Sequence, residues 1–214
     1  MKLISVEQTS LLWLGAATRE EGQFYLPELV GALEKEFKFL EVPDVSSDIS
    51  NLVFKHGKFK DFAVAQMSMH SDGLILRAQA PSSKLDELFN HLRKWAKKNF
   101  NVELVQTALS SPVYESHIVV QSDAPIAAFF KKFAKLGASL DTKILAASRI
   151  HAKSSLSGFT IDTNSPSEPI RPIPFKFERR IGTSPELGFY FSSAPIPTSD
   201  HLDLLQELEA AIKS

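Results

Sequence analysis

The apolar positions along this chain switch between two periods. Leu26, Leu29, Val30, Leu33, Phe37 and Leu40 recur at three- and four-residue spacing, with Glu28, Glu34, Lys35 and Lys38 on the other side. The spacing predicts an amphipathic helix over 26–39, with Pro27 in a first turn that needs no N–H from it. A second helix follows Pro81-Ser82-Ser83. It buries Leu85, Leu88, Phe89, Leu92 and Trp95, with Asp86 and Glu87 early and Lys97 and Lys98 late, as the helix dipole favours. A third is predicted over 125–136, with Gly137 as its stop. The fourth follows Thr198-Ser199-Asp200 and carries Leu202, Leu205, Leu208 and Ile212.

Between these helices the period falls to two. Strands are predicted at 11–14, 52–55, 59–69, 74–79, 102–108, 117–121, 144–153, 156–162, 175–181 and 187–192. Ser71-Asp72-Gly73 reads as a hairpin turn, because glycine supplies the positive φ such turns need. Strands and helices mix without strict alternation. The expected class is therefore α+β, a mostly antiparallel sheet with about four amphipathic helices.

The order of elements repeats. Leu74-Ile75-Leu76-Arg77-Ala78-Gln79-Ala80-Pro81 and Phe189-Tyr190-Phe191-Ser192-Ser193-Ala194-Pro195 are both apolar strands ending in Ala-Pro ahead of a helix. Upstream, a short apolar strand (Leu11–Leu14, then Ile118–Gln121) precedes a helix. Each half reads β-α-βββ-α, 1–109 and 112–214, as from an internal duplication, and together they form one continuous domain or two. The break falls at Leu109-Ser110-Ser111-Pro112, and the second half is lengthened by the Pro-rich loop Ser165–Pro174. This order resembles, in topology alone, the saddle-shaped TATA-binding type of fold. No residue is carried over from that family, since fold does not imply function.

Composition narrows the chemistry. The chain has 214 residues, no cysteine and a net charge of −1. That excludes disulfides, thiolate metal sites and a cysteine nucleophile, and it gives no bulk attraction to nucleic acid or acidic membranes. The apolar run Leu11–Ala17 is far shorter than a bilayer span of ~20 residues. Lys2 alone precedes it as a base and Glu7 intrudes, so neither an export signal nor a membrane partner is expected, and a cytoplasmic location is.

Sites of familiar type are not legible. G-x-G-x-x-G, the P-loop and G-x-S-x-G do not occur. His56, His70, His91, His117, His151 and His201 show no ligand spacing, so no metal and no cofactor is expected. His201 is expected to be exposed. In 149–153 the alternation places Arg149, His151 and Lys153 on one strand face. Likewise, Lys176, Glu178 and Arg180 lie opposite Phe175 and Phe177. Such a face fits an anionic ligand or nucleic acid, and equally the polar side of a half-solvated sheet.

Three functions follow. The first is a non-catalytic adaptor or subunit of a cytoplasmic assembly, partnered by another protein or by itself. Its contacts would come from Phe130 and Lys131 on the third helix and Leu202 and Leu205 on the fourth. The second is an anion- or nucleic-acid-binding module using Arg149, His151, Lys153, Lys176 and Arg180. The third is an enzyme assembled from distant groups such as His117, His151, Asp162 and Glu178.

Overall fold

A computed structural model describes residues 1–19, 25–44, 51–106, 111–162 and 171–213. The chain runs β1 (Lys2–Arg19), α1 (Leu26–Phe37), β2 (Asn51–Phe59), β3 (Phe62–His70), β4 (Gly73–Ala78), α2 (Ser82–Phe100) and β5 (Val102–Gln106). It continues through β6 (Val113–Gln121), α3 (Ile126–Lys131), α4 (Ala134–Ser148), β7 (Gly158–Ile161), β8 (Phe175–Arg179), β9 (Phe189–Ala194) and α5 (Thr198–Lys213). The fold is α+β with an antiparallel sheet.

Nine strands form that sheet in the order β2-β3-β4-β1-β6-β9-β8-β7, and β5 pairs with the far end of β1. At the centre, Thr9 of β1 faces Ser116 of β6, while Ala78 flanks Thr9 and Ala194 flanks Ser116. Outward from that row the strand order is the same on both sides, β1-β4-β3-β2 and β6-β9-β8-β7. The sheet is continuous, yet its apolar residues gather in two clusters. One joins Leu11, Leu74 and Leu76 to Leu33 and Phe37 of α1 and Leu85, Leu88 and Leu92 of α2. The other joins Ile118, Val120, Phe177 and Tyr190 to Ile126 and Phe130 of α3 and Leu205 of α5. Each fully buried large side chain contributes ~1.5–3 kcal/mol. Tyr114 of β6 crosses between the halves, donating to Asp86 of α2 at 2.6 Å.

Several boundaries differ from the sequence expectation. The strand expected over 59–69 is split, because Lys60 turns left-handed (φ 52° at Lys38 and 50° here) and closes a two-residue turn without glycine. Leu40 is exposed, and Phe39, one residue past the α1 cap, takes the buried place instead. Gly137 does not stop the third helix. Lys132 and Phe133 bond back to Phe129 and Phe130, a tightened turn that bends the helix, and α4 then continues to Ser148. Gly137 is needed for another reason, since a Cβ there would meet the carbonyl of Ser154 at 2.5 Å.

The strand expected over 144–153 is therefore wrong. Its first half is the end of α4, and Arg149 is the left-handed residue (φ 59°) that terminates the helix. Residues 150–153 form no strand, and Ile150 is exposed. The alternation of Arg149-Ile150-His151-Ala152-Lys153 therefore marks no sheet face. Residues 109 and 110 of the expected break and 165–170 of the Pro-rich loop lie outside the described residues.

Candidate partner-binding surface

The two halves treat their first helix differently. In the N-terminal half α1 lies on the sheet and buries Val30, Leu33 and Phe37. In the C-terminal half only α3 lies down, through Ile126 and Phe130, and Gly137 is the one residue of α4 that is buried. Among the described residues, α3, β7 and α5 leave a groove of about 490 Å³ between them, lined by Phe129, Phe133, Leu156, Phe159, Leu208 and Ile212.

The helix that failed to close this space carries an unmatched apolar row. Leu136, Leu140 and Ile144 recur every fourth residue, which places them along one stripe of α4. Leu136 is 70% exposed and Phe133, at the bend where the groove meets α4, is 43% exposed. Lysines border both parts. Lys131, Lys132, Lys135 and Lys143 are all exposed, and none is ion-paired among the described residues. The Lys132 ammonium lies 5.7 Å from the centre of the Phe129 ring. Asp141, the acidic side chain of α4, is already engaged, accepting the Ser154 N–H at 2.7 Å. An apolar trough rimmed by unpaired cations fits a ligand that is apolar along its length and acidic along its edges.

The partner residues expected from sequence fall in and around this region unevenly. Phe130 is 9% exposed and Leu205 is fully buried, so both are core, whereas Lys131 is at the surface and Leu202 is half-buried. The neighbours of these residues, Phe129 and Phe133 on one helix and Leu208 and Ile212 on the other, are the ones that line the groove. Helical period alone shows which face is apolar. It does not show which part of a wide face the sheet covers.

The basic residues come from two separate segments. Arg149, His151 and Lys153 lie exposed on the chain leaving α4. Lys176 pairs with Glu178 at 2.9 Å on β8, and Arg180 approaches Glu7 of β1 at 3.6 Å. Of the groups expected for an enzyme, three have partners outside that set. Asp162 pairs with Arg171 at 3.1 Å, Glu178 with Lys176, and the His117 ring sits 6.0 Å from that of Phe191. None of His117, His151, Asp162 and Glu178 bonds to another.

One polar constellation escaped the sequence reading. His201, expected at the surface, is 0% exposed in the first turns of α5. Ser192 Oγ donates to the Lys176 carbonyl at 2.8 Å, so it accepts from His201 Nε2–H at 2.8 Å. His201 Nδ1 then accepts from Ser116 Oγ–H at 2.6 Å. The ring is fixed as the neutral Nε2–H tautomer. Burial, then the charge of nearby His117, lowers its pKa to about 4. The ring is fully buried with both nitrogens paired, so the arrangement is a satisfied core network. Set beside known protein families and curated proteins, the chain matches none of them.

Proposed function

We propose that the chain is a non-catalytic binding subunit of a multiprotein assembly, and that its C-terminal groove and α4 hold an acidic amphipathic helix of another protein. The observation that carries this reading is the apolar groove between α3, β7 and α5, which by element order corresponds to the place of α1 in the N-terminal half. The N-terminal half displays what such a helix looks like. α1 presents Val30, Leu33 and Phe37 to the sheet and carries Glu28, Glu34 and Glu36 outward. A partner helix of that composition gains apolar burial along the groove and meets the lysine rim at its edges. Treating the halves as copies of one unit supports this, since one copy then supplies its own helix and the other receives it. The anion-binding alternative has less support, because Lys176 and Arg180 already face carboxylates.

The test is the mass of the native complex recovered from the protein's own cells. Wild type is expected in a defined larger particle containing a second polypeptide. The Phe133→Asp/Leu136→Asp variant, altered only at exposed positions, is expected at the monomer mass of 23.8 kDa with an unchanged circular dichroism spectrum. A wild-type chain that is itself monomeric refutes the proposal.

A further inference from the structure

The C-terminal part of α2 and the strand β5 form a cleft of about 890 Å³. Asn101, left-handed at φ 52°, ends the helix and turns the chain directly into the strand. Among the described residues β5 pairs with β1 and with no other strand. Its side chains alternate. Val102 is buried and Leu104 packs on the first apolar cluster, on the side of α2, whereas Glu103 and Val105 are exposed on the other. Residues of both sides line the cleft, so it runs along the strand's free edge, where backbone N–H and C=O groups are open to pairing.

Charge marks the helix side of the cleft. Lys97 pairs with Glu103, the one acid of the lining among the described residues, at 2.7 Å. Arg93, Lys94 and Lys98 are exposed, and none is ion-paired among the described residues. The helix dipole accounts for cations in the last turn, but Arg93 and Lys94 stand well before it. Nor does the fold call for them. At the positions of α5 that lie as far from Thr198 as Arg93 and Lys94 lie from Ser82, the chain has Glu209 and Ala210. No aromatic ring lines the cleft among the described residues, so nucleic-acid bases have nothing to stack on.

We propose that this cleft takes an extended acidic segment of a partner protein as an added strand on β5. Main-chain hydrogen bonds to the free edge hold the segment, and its alternate carboxylates, turned to the side of Leu104, meet Arg93, Lys94 and Lys98. The site lies in the N-terminal half and is independent of the groove beside α3.

The probe is a fluorophore-labelled hexapeptide of alternating Glu and Val, titrated into the full chain and read by anisotropy. It is expected to bind saturably, and the Lys-Val counterpart is not. Lys94→Glu/Lys98→Glu, altered at exposed positions, is expected to weaken the peptide about tenfold with an unchanged circular dichroism spectrum. If that variant unfolds, Lys94→Ala/Lys98→Ala replaces it, with a loss of about threefold. Phe133→Asp/Leu136→Asp, altered at the other surface, is expected to bind the peptide like wild type. Strand pairing is read apart from charge by N-methylating the peptide at every Val or at every Glu, which removes the amide protons of one edge at a time. One methylated peptide is expected to lose binding and the other to keep it. Equal behaviour of the two overturns the proposal, as does the absence of saturable binding. So does a folded lysine variant that binds like wild type, or hexathymidylate or the Lys-Val peptide binding as tightly as the acidic one.

Discussion

Ser82 and Thr198 cap each other's helices. The Ser82 N–H donates to Thr198 Oγ1 at 3.0 Å, the Thr198 N–H donates to Ser82 Oγ at 3.0 Å, and both side chains are buried. This arrangement brings the N-termini of α2 and α5 together, which sets two partial positive charges side by side. The reciprocal hydroxyls supply acceptors that no water can provide there. Ser82→Ala and Thr198→Val are each expected to destabilise the fold by ~1–2 kcal/mol. Urea denaturation of the two variants measures this, and an unchanged midpoint in both contradicts the capping role.

The same separation of 116 residues relates other positions. It carries Leu76 of β4 onto Ser192 of β9 and Leu85 of α2 onto His201 of α5, while the central row sets Thr9 against Ser116. Ser116 has His201 as its partner. Thr9 has only the aliphatic counterpart, and its Oγ1 is buried without a hydrogen bond. Replacing it with the isosteric Val removes an unsatisfied group and nothing else. Thr9→Val is expected to stabilise the protein by ~1 kcal/mol or more. Thermal denaturation checks the sign, and a loss of stability would mean that Thr9 makes a contact of its own.

His201 gives the fold a dependence on pH. Its ring takes up a proton near 6.5 in the unfolded chain and only near 4 in the folded one. The unfolded state therefore binds more protons through that window, and stability falls as pH is lowered through it. The contribution is on the order of 3 kcal/mol, fully present above pH 6.5 and lost toward pH 4. Carboxylates lose their own pairings at lower pH, so the comparison must be with a variant lacking the ring. The Ser116→Ala/His201→Leu/Ser192→Ala variant removes the whole network and leaves no orphaned hydroxyl. It is expected to show a flatter stability profile between pH 6.5 and 4, and an identical slope would exclude His201 as the source.

What the sequence disclosed depended on whether an element answers to local rules. α1, α2 and α5 were readable because each buries a full stripe. The turn before β4 was placed correctly from Asp72-Gly73, but not for the expected reason, since Gly73 has no positive φ and is needed for its close approach to the Trp13 carbonyl. The turn at Lys60-Asp61 was not legible, since a lysine in the left-handed region leaves no signature. α4 was misread for a physical reason. A helix packed against little shows a weak period, and glycine within it signals a stop when its use is close approach to Ser154. The groove was half legible, because Phe129, Phe133, Leu208 and Ile212 lie on faces read as apolar, whereas their convergence is long-range. Nothing marked His201, whose partners Ser116 and Ser192 come from two strands distant from each other in sequence.

Phe130 and Phe133 separate folding from binding on one short stretch of helix. They are three residues apart, but Phe130 points into the second apolar cluster, while Phe133 sits at the bend with its ring 6.3 Å from that of Phe129 and nearly half of its surface exposed. Phe130→Ala removes a buried ring and is expected to cost ~3–5 kcal/mol. Phe133→Ala removes a rim contact, so its cost to the fold is expected within ~1 kcal/mol. In an assembly the ranking reverses, because exposed aromatics at the centre of an interface carry much of the binding energy. Phe133→Ala is then expected to release the partner from a folded chain, whereas Phe130→Ala loses the partner only in proportion to the chain that unfolds. Denaturation and co-purification of the same two variants read both effects. Partner retention in Phe133→Ala at wild-type level would move the docking surface away from the groove.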